Sequence, residues 1–386
     1  MKTVNVKSIY EEIKKNQPRI ERIVKYIKQG EVSGFTPPST LVGEANYPNV
    51  SLGVLFTDDS GAQAYDSPRY WVEKKYDVKS IFLAKTLLIN AREKVSVNNP
   101  KADFVQRMAL ATMSESEVPV ELQVSKVSTP SLNINEFYPH AIGAQIERIK
   151  VSDNVKIDKR IEKIYYDTDL KATEGIQYLY SDKVDENKIS RILSVGGIGI
   201  KRRLVPTKWS ITAVDDTVGK KLIGDIKALP YGEDYRIVSG ELLGNRYTFI
   251  FIKGCWSFEL LETWNRDPGE VMFGEGDYEL FQGRKEYVKN TAGAYYAIRL
   301  AVLEKLKEIG SQFSVVCVRE ITPEYFAPLG VWVVREGARQ ALKNELRSFQ
   351  DLGSAMSSAK SSMLFPQGIE RRSKLVKLQT TQARLV

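Results

Sequence analysis

The chain has 386 residues, of which 42% are hydrophobic, 27% charged and 10% aromatic, and its formal net charge is +8. This balance is typical of a folded protein with a sizeable apolar core, and it excludes a disordered or fibrous chain. The two cysteines, Cys255 and Cys317, form no CxxC pair, and His140 is the single histidine. This residue usage argues against a zinc finger, a haem attachment site or a disulfide framework.

The N-terminal sequence MKTVNVKSIYEEIKKNQ lacks the apolar stretch of a signal peptide. No stretch reaches the roughly 18 apolar residues of a membrane span. The sequence therefore predicts a cytoplasmic protein without a membrane partner. Residues 350–386 contain six basic and two acidic residues, so this segment carries +4, half of the net charge.

The first half of the chain predicts helices separated by extended segments. Residues 9–27 have helical apolar spacing, and Pro18 is expected to split that helix. The remaining elements are a strand over 50–56, helices over 85–95 and 99–113, a strand over 120–124, a helical region over 158–179, and a helix over 190–194 that ends at Gly196 and Gly197.

The second half continues this alternation. It predicts a β-prone segment SITAV over 210–214, a strand over 247–252, a helix over 292–309, a strand over 313–318, and a strand over 331–334 before a helix over 337–349. From residue 352 the chain is rich in serine and then basic, which predicts a flexible tail. Strands interleaved with helices predict an α/β or α+β fold with mixed sheets and packed helices.

A glycine-rich, basic segment follows the helix over 190–194. Its glycines are Gly196, Gly197 and Gly199, and its cations are Lys201, Arg202, Arg203 and Lys208. Such a backbone can approach a phosphate that the cations neutralise. The segment matches neither G-x-G-x-x-G nor a P-loop. Two interpretations stand side by side: an anion-binding loop, or a helix end followed by a solvated basic turn.

Aromatic and basic residues also alternate in YDSPRYW, where Arg69 lies between Tyr65 and the pair Tyr70 and Trp71. This cluster can stack on bases while Arg69 contacts a phosphate, or it can form a packed corner. Trp209 has apolar neighbours, which indicates a core position.

Acidic residues occur in three groups, Asp58–Asp59, Asp215–Asp216 and Glu275-x-Asp277-x-Glu279. A metal-dependent nuclease needs several carboxylates around one or two Mg²⁺ or Mn²⁺ ions. One hypothesis therefore gives Asp215, Asp216, Asp277 and Glu279 catalytic roles, with the first three as metal ligands. The alternative is that these side chains cap turns and helices without a metal.

Several long segments of the chain resemble the archaeal Nre family. The matching segments are TPPSTLVGEANYPNVSLG (36–53), LVPTKWSITAVDD (204–216), GCWSFELLETW (254–264), the GRKEY and GAYYAIRLAVLE pair (283–304), and REITPEYFAPLGVWVVREGAR (319–339). They are spread along most of the length between residues 33 and 349.

The resemblance implies a DNA-repair protein that works with the sliding clamp, PCNA. It also implies a larger N-terminal domain over 33–275 and a smaller C-terminal domain over 276–349, flanked by a helical segment over 1–32 and the flexible basic tail over 350–386. Many members of the family begin with a cysteine-rich, zinc-finger-like segment. Residues 1–34 contain no cysteine, so no zinc is expected here.

Family members often end in a clamp-binding peptide that places an aliphatic residue and two aromatic rings in an apolar groove. The corresponding residues here are Gln379, Gln382, Leu385 and Val386. Gln382 stands where the aliphatic residue is expected, and burying its amide without a partner costs roughly 1–3 kcal/mol. The expected contact with the clamp is therefore weak or altered.

Together these observations predict a nucleoid-associated DNA-repair factor that binds DNA or a nucleotide-like ligand and is recruited to the clamp by its tail. Arg202, Arg203 and Lys208 are expected to contact phosphates, with Arg69 extending the patch. The alternative is a metal-dependent nuclease or other nucleic-acid hydrolase that uses the carboxylates. A third hypothesis is a scaffold that joins the clamp to other repair proteins.

Overall fold

A computed structural model describes residues 6–127, 142–152, 154–265, 270–327 and 329–382, the side chains of residues 6–16, 142 and 382 excepted. His140 lies outside these ranges. The chain divides into an N-terminal unit, Asn5–Thr217 with Ala327–Leu329, and a C-terminal unit formed mainly by Val218–Phe326 and Gly330–Val386. Both units combine helices with a mixed sheet, and the N-terminal unit is the larger. The predicted mixed fold is therefore confirmed.

The N-terminal unit is built on a six-stranded sheet. Its strands are β1 (Glu31–Thr36), β2 (Thr40–Val42), β3 (Asn49–Phe56), β4 (Ile89–Ser96), β5 (Val118–Val127) and β6 (Ile142–Val151). They lie in the order β1-β5-β6-β4-β3-β2, and within this sheet β4 and β6 pair in parallel while the other neighbours are antiparallel. Alternate residues of β3, including Val50, Leu52 and Val54, enter the apolar core.

The helices of this unit are α1 (Val6–Ile27), α2 (Pro68–Glu73), α3 (Val78–Thr86), α4 (Asp103–Met113), α5 (Lys159–Tyr166), α6 (Ala172–Ser181), α7 (Glu186–Ser194) and the first part of α8 (Thr207–Lys227). Helix α1 runs through Pro18 without the predicted break. Ile20, Ile23 and Ile27 of α1 pack into the core of the unit. No helix in the described ranges is both long and apolar enough to cross a membrane.

The C-terminal unit is built on a second mixed sheet. Its strands are β7 (Tyr235–Leu242), β8 (Asn245–Lys253), β9 (Ser257–Trp264), β10 (Met272–Phe273), β11 (Asp277–Glu279), β12 (Phe313–Ile321) and β13 (Arg347–Phe349). The order is β10-β9-β12-β8-β7-β13, and β11 also pairs with β9. Strands β9 and β12 run parallel, while the other pairs are antiparallel.

Helices cover both faces of this second sheet. The helices of this unit are the end of α8, α9 (Ala292–Ile309), α10 (Val331–Leu342), α11 (Leu352–Ser362), α12 (Ile369–Arg372) and α13 (Lys374–Gln382). A Cβ atom at Gly337 of α10 would lie 2.6 Å from the Tyr247 ring, so α10 packs closely on that face of β8. Ile250 and Ile252 point to the opposite face, because successive side chains alternate along a strand. That face carries the last three helices.

The prediction of a flexible tail is wrong for residues 352–381. Ala355, Met356 and Ala359 of α11 are buried against the sheet. Small residues at helical spacing let a helix approach the sheet closely, although their composition resembles that of a disordered segment. The side chains of Ala355 and Ala359 are short, so composition alone gives little sign of the packing.

Two buried carboxylates also hold this segment. Glu320 on β12 accepts hydrogen bonds from the backbone of Leu364 at 3.0 Å and of Phe365 at 2.6 Å. Glu259 on β9 accepts from the Ser373 hydroxyl at 2.6 Å and from the first amides of α13, which satisfies donors that a helix start leaves unpaired. Acidic side chains distant in sequence therefore hold residues 364–375 on the sheet.

Several local predictions are also wrong in type or in boundary. Residues 85–95 contain the end of α3 and then β4, whose pairing with β3 and β6 overrides helical propensity. Residues 210–214 belong to α8 and residues 331–334 begin α10. Their β-branched side chains face apolar surroundings on a helix, and this burial outweighs their preference for strands. The helix over 99–113 begins only at Asp103.

Candidate nucleic-acid interface and adjoining cavities

The glycine-rich segment forms a fixed loop between α7 and α8. Gly196 and Gly199 have φ values of +74° and +100°, which favour glycine. A Cβ atom at Gly199 would lie 3.0 Å from the Cβ of Ala172, so the loop also packs closely on α6. Its far end is anchored where the Leu204 amide donates to the Val97 carbonyl at 3.1 Å. The sequence interpretation of a helix that ends at Gly196 is confirmed.

Arg202 points from this loop toward the end of α5. Its guanidinium donates to the main-chain oxygens of Tyr165 and Asp167, the latter at 3.2 Å. It also lies over the Tyr165 ring, with Cζ 5.1 Å from the ring centroid. A cation at a helix C-terminus is favourable because the free carbonyls there carry partial negative charge. These contacts hold the loop against α5.

Lys201 and Arg203, on either side of Arg202, are exposed. Ile200 is 55% exposed, and Tyr166, the last residue of α5, is 72% exposed. We call Tyr166, Ile200, Lys201 and Arg203 the loop–tyrosine surface. Because Arg202 binds the carbonyl of Tyr165, it brings two cations and two exposed apolar groups to one region of the N-terminal unit.

Lys208 lies at the start of α8 beside an exposed aromatic pair. Its Nζ is 3.4 Å from Oε1 of Glu44, whose Oε2 accepts from the Trp209 indole at 3.1 Å. Trp209 and Tyr47 are 46% and 48% exposed, and their ring centroids lie 5.4 Å apart. The prediction that Trp209 belongs to the core is therefore wrong. Its neighbour Lys208 sits beside rings that can stack on a base.

Arg69, at the start of α2, is paired with acidic residues at the beginning of α7. It contacts Asp185, and its Nη2 lies 3.7 Å from Glu186 Oε2. Its side chain is nevertheless 57% exposed. Arg69 thus lies at the rim of a cavity.

The cavity beside Arg69 has a volume of about 380 Å³ and lies within the N-terminal unit. We call it the larger cavity. Its cationic lining residues are Arg69, Arg160, Lys183, Lys188 and Arg191, and its acidic ones are Glu115, Asp158 and Asp185. Arg69 and Arg160 are paired with Asp185 and Asp158 of this lining, and Arg191 is paired with Asp66. A cavity of this size, lined by several cations, suits a phosphate-bearing group about as large as a nucleotide.

Lys188 of α7 is the most unusual group in this lining. Its Nζ donates to the main-chain oxygens of Thr112 at 2.6 Å and Ser114 at 2.5 Å. Burial and the neighbouring Arg191 lower the pKa of Lys188 to about 7. Arg191 is itself paired with Asp66 at 2.8 Å. A substantial fraction of the Lys188 amine is therefore neutral near pH 7.

A smaller cavity of about 270 Å³ lies along the end of the same helix α5, with Gln106, Arg107, Leu110, Met113, Ile157, Glu162, Tyr165 and Tyr166 around it. Met113 lines both cavities. Arg160 and Ile161 of α5 face the larger cavity, whereas Tyr165 and Tyr166 face the smaller one. Helix α5 therefore connects the loop–tyrosine surface to the larger cavity.

The four candidate catalytic carboxylates are held in different ways. Asp215 is buried in α8, and Asp216 is half-buried beside it. Asp277 accepts from the amides of Lys289, Asn290 and Thr291 and from the Thr291 hydroxyl. Although burial opposes it, this set of hydrogen bonds holds the pKa of Asp277 below its usual range.

Glu279 is also buried, and its Oε2 accepts from Arg299 Nη1 at 3.0 Å. Within the described ranges, no group of three or more histidine, cysteine, aspartate or glutamate side chains is arranged to hold a metal ion. The partners of Asp277 and Glu279 are instead those of capping and ion-pairing groups. The proposed metal ligands Asp215, Asp216 and Asp277 thus gain no support as a set.

The candidate clamp-binding peptide lies only partly within the described residues. Gln379 is half-buried in α13, with Nε2 3.4 Å from the Tyr235 hydroxyl. The side chain of Gln382 and the residues Leu385 and Val386 lie outside the described part. The clamp contact therefore stays a prediction.

Comparison with known proteins defines the family. Residues 8–268 match the N-terminal region of archaeal Nre proteins, and residues 279–386 match the C-terminal region. The chain belongs to the archaeal Nre family, as the sequence segments predict.

Named relatives align along most of the chain. It is 34% identical to DNA repair protein NreA of Haloferax volcanii over 87% of this chain and 84% of that protein. It is 34% identical to NreA of Archaeoglobus fulgidus, over 88% of this chain and 87% of the relative, and 33% identical to NreB of the same organism, over 84% of each chain. No solved structure matches the chain significantly.

Proposed function

We propose that this protein takes part in DNA repair by binding DNA with unstacked bases at the loop–tyrosine surface. The observation that carries the proposal is the contact of Arg202 with the end of α5, which holds the loop that carries Lys201 and Arg203 against the helix end where the exposed Tyr166 lies. The relatives named DNA repair proteins support the biological setting.

The chemistry of this surface suits a single strand better than an intact duplex. Lys201 and Arg203 can neutralise phosphates, and Tyr166 offers a ring face on which an unstacked base can lie. In a duplex the base faces are covered by their neighbours. Damaged or partly opened DNA exposes them, which is the form of DNA that a repair factor meets.

Two further groups extend the proposed contact. Lys208 stands beside the exposed Trp209 and Tyr47 rings, which repeats the combination of a cation and an aromatic face. Arg69 at the rim of the larger cavity can exchange its carboxylate partners for a phosphate. Arg202 acts differently, because its donors bind carbonyls and position the loop.

The metal-dependent hydrolase remains the alternative hypothesis, but no set of ligands in the described ranges favours it. Recruitment by the sliding clamp also remains a prediction. Because the Gln379 amide approaches Tyr235, clamp binding through Gln379 requires the end of α13 to loosen. Removing residues 383–386 and measuring binding to purified clamp tests this recruitment.

The test of DNA binding is fluorescence anisotropy with a labelled single-stranded oligonucleotide. We expect Lys201→Glu combined with Arg203→Glu to weaken binding by on the order of tenfold or more at moderate salt. The matched control is Lys25→Glu with Lys28→Glu, which reverses one exposed lysine of α1 and another just after its end. Equal affinity of the loop variant and the wild type, or an equal loss in the control, overturns the assignment.

A further inference from the structure

The larger cavity contains a group that DNA binding does not use. Lys188 lines the cavity, yet its two hydrogen-bond partners are main-chain carbonyls and not carboxylates. A neutral amine has two N–H donors and one lone pair. The carbonyls of Thr112 and Ser114 take both donors, so the lone pair is left for a ligand in the cavity.

A lysine in this state is suited to attack a carbonyl carbon. Burial and Arg191 favour the neutral amine, while the carboxylates of Asp158, Asp185 and Glu115 act in the opposite direction. The net result is a pKa of about 7, so the nucleophilic form is well populated under ordinary conditions. An exposed lysine is almost entirely protonated at that pH.

We propose that Lys188 forms an imine with the aldehyde of a deoxyribose that has lost its base. The choice of substrate rests on the proposed function, because DNA delivered by the loop–tyrosine surface must supply the carbonyl. The sugars of intact DNA offer no aldehyde. A nucleotide without its base opens to one at C1′, and loss of the base also leaves room in the cavity.

The arrangement of the cavity fits such a substrate. Its volume of about 380 Å³ holds a sugar with an adjoining phosphate. Arg69 and Arg160 line it, and each can exchange its carboxylate partner, Asp185 or Asp158, for a phosphate. Helix α5 connects the loop–tyrosine surface to this cavity. Tyr166 lines the smaller cavity, Arg160 lines the larger one, and Met113 lines both.

The reaction balances without an oxidant or a metal. The lone pair of Lys188 Nζ attacks C1′, and the aldehyde C=O becomes a hydroxyl on a carbinolamine. The remaining C–O single bond of the carbinolamine then breaks as the C=N bond forms, and the oxygen leaves as water with both protons of the original amine. Glu115 and Asp185, which line the same cavity, can carry these protons.

The competing explanation is that Lys188 only ties α7 to the end of α4. Lys188→Arg separates the two roles, because a guanidinium can still donate to the carbonyls of Thr112 and Ser114 but does not form an imine. Lys159→Arg is the matched control, since Lys159 is an exposed lysine of α5 outside the cavity lining.

The experiment incubates the full chain with DNA that contains one abasic site, reduces with borohydride, and maps the adduct by peptide mass spectrometry. We expect a covalent adduct at Lys188 that falls at least about tenfold in Lys188→Arg and is unchanged in Lys159→Arg. An undiminished adduct in Lys188→Arg, or adducts spread over exposed lysines, overturns the proposal.

A second arm uses free 2-deoxyribose 5-phosphate, which needs no DNA-binding surface. Reduction at Lys188 with this sugar supports the imine even where the loop variant binds DNA normally and the proposed interface fails. Absence of a Lys188 adduct with both the sugar and abasic DNA overturns the imine while leaving the DNA interface to stand on its own binding test.

Discussion

Arg202 lies over the ring of Tyr165 and donates to the main-chain oxygen of the same residue. This one side chain therefore fixes both the loop after α7 and the end of α5. The two cations beside it, Lys201 and Arg203, are positioned in part by this contact.

Arg202→Ala is expected to lower both stability and DNA affinity. Loss of charge-assisted hydrogen bonds at a half-buried site costs about 1–3 kcal/mol in the free energy of unfolding. Urea unfolding measures this cost. Arg203→Ala should weaken DNA binding with little change in stability, because Arg203 is exposed. If the two variants show the same stability, Arg202 does not hold the loop.

Tyr166→Ala is expected to reduce the free energy of binding to single-stranded DNA by about 1–3 kcal/mol, the contribution of one stacked base. Its effect on stability should be small, since the ring is 72% exposed. Tyr231→Ala serves as control, because Tyr231 is a similarly exposed tyrosine of the other unit. Comparable losses in both variants indicate that the ring at Tyr166 has no specific role.

Glu259→Ala is expected to release α13 from the sheet. The change leaves the Ser373 hydroxyl and the amides of Lys374 and Leu375 without their acceptor. We expect a loss of about 2–4 kcal/mol and faster amide exchange in α13. Glu370→Ala, which removes a carboxylate near the surface, should leave that exchange unchanged. Slow exchange in both variants contradicts the capping role of Glu259.

Asp277 predicts a dependence of stability on pH. Its pKa is below the ordinary 3.8, so its contribution is fully present above the unfolded value and is lost as the pH falls through the folded one. Wild-type stability should therefore decline more steeply than that of Asp277→Asn as the pH is lowered through and below 3.8. Parallel curves from chemical unfolding at several acidic pH values contradict this role.

Sequence periodicity predicts elements well where the chain pattern and the burial agree. Helix α9 over Ala292–Ile309 and the core of strand β8 are examples. Residues 331–334 show the opposite case, since β-branched side chains begin a helix whose surroundings are set by distant strands. No local pattern can report such tertiary burial.

The candidate site is likewise predictable from the sequence only in part. The cluster of Lys201, Arg202 and Arg203 is visible in the sequence, but only the structure separates the inward Arg202 from its two exposed neighbours. Lys188 gives no signal in the sequence, because its environment is created by carbonyls at the end of α4, more than 70 positions earlier. The capping role of carboxylates such as Glu259 is equally invisible in the sequence, because it depends on how the tail packs.

The salt dependence of DNA binding tests the central claim most directly. Each phosphate contact on a single strand contributes about 0.7 to the slope of log K against log salt. Lys201→Ala with Arg203→Ala should therefore reduce the magnitude of the slope by about 1.4, whereas Lys25→Ala with Lys28→Ala leaves it unchanged. An unaltered slope in the loop variant would contradict the assignment of this surface to DNA.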